Sequence, residues 1–175
     1  KTGLVELGLA LAEANVELVA TSSTAAALAE EGLTVTEVSD LTGFPEILGG
    51  RVKTLHPVVH GGILARQDDA ASMETLSELG IAPFDVVVVN LYPFTQTLAS
   101  GASHEECVEM IDIGGPTLIR AAAKNYSSLA VLSDPSQYAE FTASLNSGGT
   151  TVEQRLSWAT AAFQLVANYD IAIAN

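Results

Sequence analysis

Cysteine is nearly missing from this chain: Cys107 stands alone among 175 residues. One cysteine closes no internal disulfide, so the fold rests on its packed core, and the usage fits a reducing compartment. Cys107 falls in an apparent helix, 105–109, where a small apolar side chain reads as packing rather than as a nucleophile. Positive charge is scarce as well, with 7 Lys and Arg against 21 Asp and Glu and a formal net charge of -14. Without a basic stripe there is nothing to neutralise a phosphate backbone, which argues against nucleic acid as a partner. The acidity itself reads as solubility. No apolar run reaches the roughly 20 residues that cross a bilayer. No basic-then-apolar leader opens the sequence. The expectation is therefore no membrane association and a cytoplasmic location.

What cations there are lie in telling places. Four of the seven, Arg51, Lys53, Arg120 and Lys124, sit in two glycine-containing stretches, 49–57 and 111–124, and a fifth, Lys1, opens the chain. A protein this acidic repels anions in general, so cations grouped beside glycines and hydroxyls point to a dedicated anion site, most simply for phosphate.

At this length the chain suits one domain with a substantial core. Helical and strand patterns alternate along it. Helices are expected at 3–15, 23–31, 69–79, from Ser103, and at 116–124, 135–145 and 151–174; strands at 16–20, 34–38, 85–92 and 129–132. The continuous apolar run Val86 to Val89 suits a parallel strand buried on both faces. Ser103 with Glu106 three residues on has the capping-box pattern. The stretch 39–64, punctuated by Gly43, Pro45, Gly49, Gly50, Pro57, Gly61 and Gly62, reads as irregular, and a loop that long inside a compact domain is more often functional than idle. The alternation implies an α/β fold with a parallel sheet sandwiched by helices. Such domains usually lead with a strand, so a further strand is expected before Lys1.

Several segments can carry chemistry. Thr21, Ser22, Ser23 and Thr24 follow a strand and open a helix, where ligands bind in a doubly wound sheet, although an ordinary N-cap accounts for them equally well. Arg51 and Lys53 alternate in an extended segment and can face one anion, with a surface ion pair as the competing reading. His56 and His60 have metal-like spacing, but Pro57 between them argues against one helix carrying both, and no carboxylate or thiol lies near in sequence. His104 reads as a solvated residue at a helix start. Tyr92 ends the buried strand and is either a hydrogen-bond donor at the crevice or a packed aromatic. Asp112 enters the Gly114–Gly115 turn ahead of a helix bearing Arg120 and Lys124; it is a base beside cations or a simple helix cap.

Taken in order, 1–4, 38–46, 49–57, 60–64, 90–94, 111–115 and 120–125 resemble the IMP cyclohydrolase domain of the bifunctional AICAR transformylase/IMP cyclohydrolase family. The likeness runs through essentially the whole chain. It implies a methylglyoxal-synthase-like fold and closure of the purine ring: 5-formamidoimidazole-4-carboxamide ribotide loses water to give inosine monophosphate, with no metal and no cofactor. By position, Lys53, Tyr92, Asp112 and Lys124 match residues of the chemistry. Lys1, Thr21, Ser22, Ser23, Thr24, Arg51 and Thr54 match the region around the 5′-phosphate, and Gly114 and Gly115 would bring backbone N–H groups to the base. Lys53 or Lys124 would face the developing oxyanion, Asp112 would take the amide proton, and Tyr92 or a lysine would protonate the departing water.

The partner implied is a small purine ribonucleotide. A homodimer is a further implication, though much of the family's dimer contact involves the C-terminal transformylase domain, which is expected to lie beyond Asn175. Two departures stand out. The family usually has Gly-Gly or Gly-Ser where this chain has Ser22 and Ser23, and its Ser-x-Ser-Asp start precedes the position of Lys1. Three competing readings remain open: methylglyoxal synthase on the same fold, a nucleotide-sensing domain without turnover, and an inactive fragment. The set Tyr92, Asp112 and Lys124 favours chemistry over sensing.

Overall fold

The computed structural model describes residues 2–175. In chain order the elements are α1 (Leu4–Glu13), β1 (Leu18–Ala20), α2 (Ser22–Glu30), β2 (Val35–Glu37), α3 (Val38–Thr42), α4 (Pro57–Leu64), α5 (Ala70–Glu78), β3 (Val86–Val88), α6 (Phe94–Ala99), α7 (His104–Glu109), α8 (Gly114–Lys124), β4 (Ala130–Leu132), α9 (Tyr138–Asn146) and α10 (Val152–Ala174). Short 3-10 turns cover Leu48–Gly50 and Pro135–Gln137.

The strands are parallel, as the alternation implies, but each is only three residues long. They form two hydrogen-bonded pairs among the described residues: β1 with β2, Leu18 opposite Val35, and β3 with β4, Val86 opposite Ala130. The apolar run around Val87 pairs over Val86–Val88 alone, so the expected strand 85–92 is cut at both ends.

Side chains alternate across the β3–β4 pair, and this explains the unbroken apolar pattern. Val87 and Val131 face a core with Val59 and Ile63 of α4, Ile119 and Ala122 of α8, and Ala159, Ala162 and Val166 of α10. Val86, Val88, Ala130 and Leu132 face the other way, onto Leu7 and Leu11 of α1, Tyr138 and Phe141 of α9, and Trp158. Each large aliphatic side chain buried in these layers contributes about 1.5–3 kcal/mol relative to exposure. Phe141 meets Trp158 edge-on, with ring centroids 6.0 Å apart.

Local chemistry sets the helix ends. Ser103 and Glu106 form the expected capping box, Thr151 and Gln154 form another, and Asp69 caps α5. The stretch 39–64 is more ordered than its glycines and prolines suggest. It holds α3 and α4, with Pro57 in the first turn of α4, where a missing N–H costs nothing. Its remaining piece is a tight hairpin: Ile47 and Val52 bridge in antiparallel fashion, and Leu48, Gly49 and Gly50 between them all have positive φ, 55°, 65° and 86°. Glycine takes that backbone freely, and the pair lets the chain reverse just before Lys53.

Two side chains, neither evident from spacing, tie α8 and the segment after it to their neighbours. Asn125, 5% exposed, donates from Nδ2 to the carbonyls of Ile63 and Ala65, both at 2.8 Å. Arg155 donates to the carbonyls of Tyr126 and Ser127 and to Thr150, tying the start of α10 to the segment after α8. Cys107 is buried with Phe94 and Tyr169 and is a packing residue, as its setting suggested. Among the described residues no helix is long and apolar enough to cross a membrane.

Candidate functional site

In parallel α/β structures ligands bind beyond the carboxyl ends of the strands, and the segments after β1 and β3 leave from such ends. Thr21 leaves β1 with extended backbone and precedes α2; its carbonyl accepts from the N–H of Thr24 (2.9 Å) and of Ala25 (3.2 Å). Its hydroxyl makes no capping bond. Ser22 then takes φ +30°, in the left-handed region that non-glycine residues avoid. Here this chain has serine where the resemblance leads one to expect glycine, and the backbone is the one glycine would prefer. What serine adds is a hydroxyl with two partners.

That hydroxyl is the centre of a three-residue cluster. Lys53 Nζ donates to Ser22 Oγ at 3.0 Å, Ser22 Oγ donates to Glu46 Oε1, and Lys53 Nζ lies 3.4 Å from Glu46 Oε2. Lys53 is delivered by the Ile47–Val52 hairpin, and a Cβ on Gly50 would sit 2.9 Å from its Cε, so the lysine folds tightly over its own turn. Glu46 is held below the usual carboxylate range. The bond from Ser22 is the main cause; burial opposes it, and the Lys53 charge and its hydrogen bond add to the lowering. Glu46 was missed as a functional candidate, although it closes one of the segments that carry the resemblance.

Thr54 continues from Lys53 to a second cluster. Its Oγ1 lies 3.1 Å from where a Cβ on Gly114 would be, which places it against the start of α8. At that helix start Asp112 Oδ1 accepts from the N–H of Gly115 at 2.8 Å. The N–H of Gly115 is therefore spent on Asp112 rather than offered to a ligand. Asp112 is positioned from below by Tyr169 of α10, whose hydroxyl donates to the carbonyl of Met110 (3.0 Å) and accepts the N–H of Asp112 (2.8 Å). The Tyr169 phenol is raised above its ordinary range, mainly by burial; the bond from Asp112 opposes this, and the charges of Asp112, Asp170 and Tyr92 add to it. Tyr92 follows Leu91 in the chain, and at 49% exposure it is open to solvent rather than packed. Leu91 beside it would touch a Cβ on Gly115, at 2.9 Å.

Other expected residues fall outside this convergence. Arg51 is exposed and paired with Glu109 at 3.4 Å, the competing ion-pair reading, and the pair ties the hairpin to the end of α7 just ahead of Asp112. Ser23 is exposed and Thr24 half-buried on α2. Lys1 lies outside the described residues. Lys124 is not brought to Asp112: α8 has 11 residues between Gly114 and Lys124, which separates its two ends by about 15 Å at 1.5 Å per residue. Lys124 instead lines a groove of about 550 Å³ with Arg120, Tyr126 and Phe163, where Arg120 stacks 5.7 Å over the Phe163 ring.

The histidines do other work. His56 Nδ1 accepts from the N–H of Val58 at 3.2 Å and caps α4. His60 lies within α4, its Nε2 is buried without a partner, and burial pushes its pKa down. Asn90 donates to the Tyr138 hydroxyl at 2.9 Å. Among the described residues no group of three or more His, Cys, Asp or Glu could hold a metal ion.

Comparison with known proteins identifies the family. The model of the MGS-like domain matches residues 3–117, and that of the AICARFT/IMPCHase bienzyme matches 122–175. The chain is 55% identical over 175 residues, all of its length, to the bifunctional purine biosynthesis protein PurH of Mycobacterium marinum. It is 54% identical over 174 residues to that of Cutibacterium acnes. It spans 34% of the length of each of these relatives. Among solved structures, that of ForH superposes with a TM-score of 0.84 at 34% identity, covering 99% of this chain and 90% of the other.

Proposed function

Because the chain belongs to the MGS-like domain family, we propose that it is the IMP cyclohydrolase unit of a purine biosynthesis protein. On this reading it closes the second purine ring on 5-formamidoimidazole-4-carboxamide ribotide. The observation that carries the reading is the convergence of Ser22, Lys53, Thr54, Gly114, Asp112 and Tyr92 at one edge, a cationic end and a carboxylate end joined through Lys53 and Thr54. The names of the PurH relatives support the pathway, and the match to the AICARFT/IMPCHase model supports the reaction.

The reaction joins two groups of one molecule. The carboxamide nitrogen bonds to the formyl carbon, and the formyl oxygen leaves as water. One proton of that water comes from the carboxamide nitrogen and one from the formamido nitrogen. Holding the groups face to face removes much of the entropic barrier. An amide nitrogen is a weak nucleophile, and its attack builds negative charge on the formyl oxygen, so a preorganised donor there stabilises the transition state. Lys53 is the ammonium within this cluster and takes that role. Asp112 is the base: one oxygen is fixed by Gly115, which leaves the other to accept the amide proton. Tyr92, exposed at the edge, donates to the departing oxygen. The ribotide phosphate is received at Thr21–Thr24. Lys124, at the far end of α8, takes no part in this scheme.

The test is ultraviolet-monitored turnover of the formamido ribotide, run beside phosphate release from dihydroxyacetone phosphate, for the chain and for Asp112→Asn and Lys53→Met. The reading expects ring closure by the chain and its loss in both variants. Phosphate release from the triose instead, or ring closure undiminished in Asp112→Asn, would overturn it.

A further inference from the structure

The cluster of Ser22, Lys53 and Glu46 contains a group that an anion-binding site has no obvious use for. Glu46 presents both carboxylate oxygens to the two side chains best suited to receive an anion: Oε1 accepts the Ser22 hydroxyl, and Oε2 pairs with the Lys53 ammonium at 3.4 Å. Its side chain is one-third exposed and that of Lys53 slightly less, so the pair sits at the mouth of the site rather than in the core. Glu46 also belongs to an exposed segment of the surface. It lies between α3 and the hairpin, follows exposed Phe44 and Pro45, and belongs to no helix or strand.

We propose that Glu46 is an internal competitor for the anion site, a carboxylate that occupies Ser22 and Lys53 until a ligand's phosphate or other anionic group displaces it. A carboxylate and a phosphate monoester accept hydrogen bonds from the same donors, and both cannot take Ser22 Oγ and Lys53 Nζ together without like-charge repulsion. Displacement is feasible because the ion pair is partly exposed, and pairs of that kind are weak. The consequence is a penalty built into affinity. It keeps Lys53 neutralised in a protein of net charge -14, whose field already disfavours anions, and it sets how readily the site empties. The inference rests on the proposed function only for the identity of the ligand, since the competition applies to any anion at Ser22 and Lys53.

The sign of the effect distinguishes a competitor from a positioning residue. Calorimetric titration with inosine monophosphate, and separately with inorganic phosphate, compares the chain with Glu46→Gln and Glu46→Ala. The competitor role predicts about fivefold tighter binding of both probes by both variants, the factor that removal of an exposed ion pair can release, and a KM for the ribotide lower by a like factor. Looser binding, or a fall in kcat with KM unchanged, would mean that Glu46 positions Lys53 and would overturn the inference. Tighter binding of phosphate without any binding of the nucleotide would uphold the competition and sink the nucleotide reading. Nucleotide binding of equal strength in all three proteins would do the reverse, and failure of both probes to bind any of them would remove the site and the inference with it. The two variants differ in the side chain left behind, so agreement between them excludes an effect of the glutamine amide.

Discussion

Gly115→Ala isolates the placement of Asp112. A Cβ at Gly115 would stand 2.3 Å from Asp112 Oδ2, 2.9 Å from its Cγ and 2.9 Å from Leu91 Cδ2, none of which a real Cβ tolerates. The carboxylate must swing away, and its bond from the Gly115 N–H, 2.8 Å long, goes with it. That charge-assisted bond is worth about 1.5–3 kcal/mol, the crowding of Leu91 costs about 1–3 kcal/mol, and alanine for glycine in a helix returns about 1 kcal/mol. The net is a loss of roughly 2–5 kcal/mol, or about 5–15 °C in melting temperature for a domain of this size. Turnover should fall further, by about 100-fold or more, because a displaced base forfeits the contribution of proton transfer. Circular dichroism melts and the ring-closure assay at 25 °C read the two effects separately. Gly61→Ala is the control: its Cβ would meet only Ile81 and Leu76, at 3.6 and 3.8 Å, so that variant keeps its turnover. A Gly115→Ala protein with the parent's melting temperature and turnover would refute the placement of Asp112.

Other expectations follow from single contacts. Tyr169→Phe removes the hydroxyl that bridges Met110 and Asp112; ring closure should drop about tenfold, roughly 1.4 kcal/mol of transition-state stabilisation, and an unchanged kcat/KM would contradict it. Asn125→Ala leaves the carbonyls of Ile63 and Ala65 without their donor, at a cost of about 2–4 kcal/mol read from urea unfolding, while turnover of the folded protein holds. His60, whose folded pKa lies below its ordinary value because of burial, stays neutral when the unfolded chain begins to charge. Its contribution is therefore complete above about pH 6.5 and lost as pH falls through the lowered folded value. His60→Gln should lose less stability than the parent between pH 7.5 and 5.5, and equal losses would exclude the histidine as the cause.

Much of this architecture is written locally. The caps at Ser103 and Thr151 each depend on residues within one turn, so they are legible from local pattern. Strand lengths were less legible. The run beginning at Asp85 looks long, but a strand exists only where a neighbour supplies hydrogen bonds, and β4 offers three residues. Glycine and proline punctuation concealed α4, because Pro57 starts a helix as readily as it ends one.

The candidate site was legible in residue type and less so in distance. Ser22 meets Lys53, and Thr54 lies against the start of α8 beside Asp112, while Lys124 stands at the far end of that helix, since residues twelve apart in sequence become remote once a helix lies between them. Glu46 and Tyr169 went unnoticed for a related reason. Glu46 reaches Ser22 across 24 positions and Tyr169 reaches Asp112 across 57, separations that no local spacing reveals. The positive φ of Ser22 is the exception, a backbone demand visible in advance as serine standing in a glycine's place.

On the proposed function, a purine ribonucleotide binds at the edge formed by Ser22, Lys53, Thr54 and Asp112. A crystal structure of the chain with inosine monophosphate tests it most directly. The phosphate is expected at Thr21–Thr24, the base beside Gly114 and Asp112, and Glu46 turned away from Lys53. A nucleotide seated instead in the groove of Arg120, Lys124 and Phe163 would contradict it.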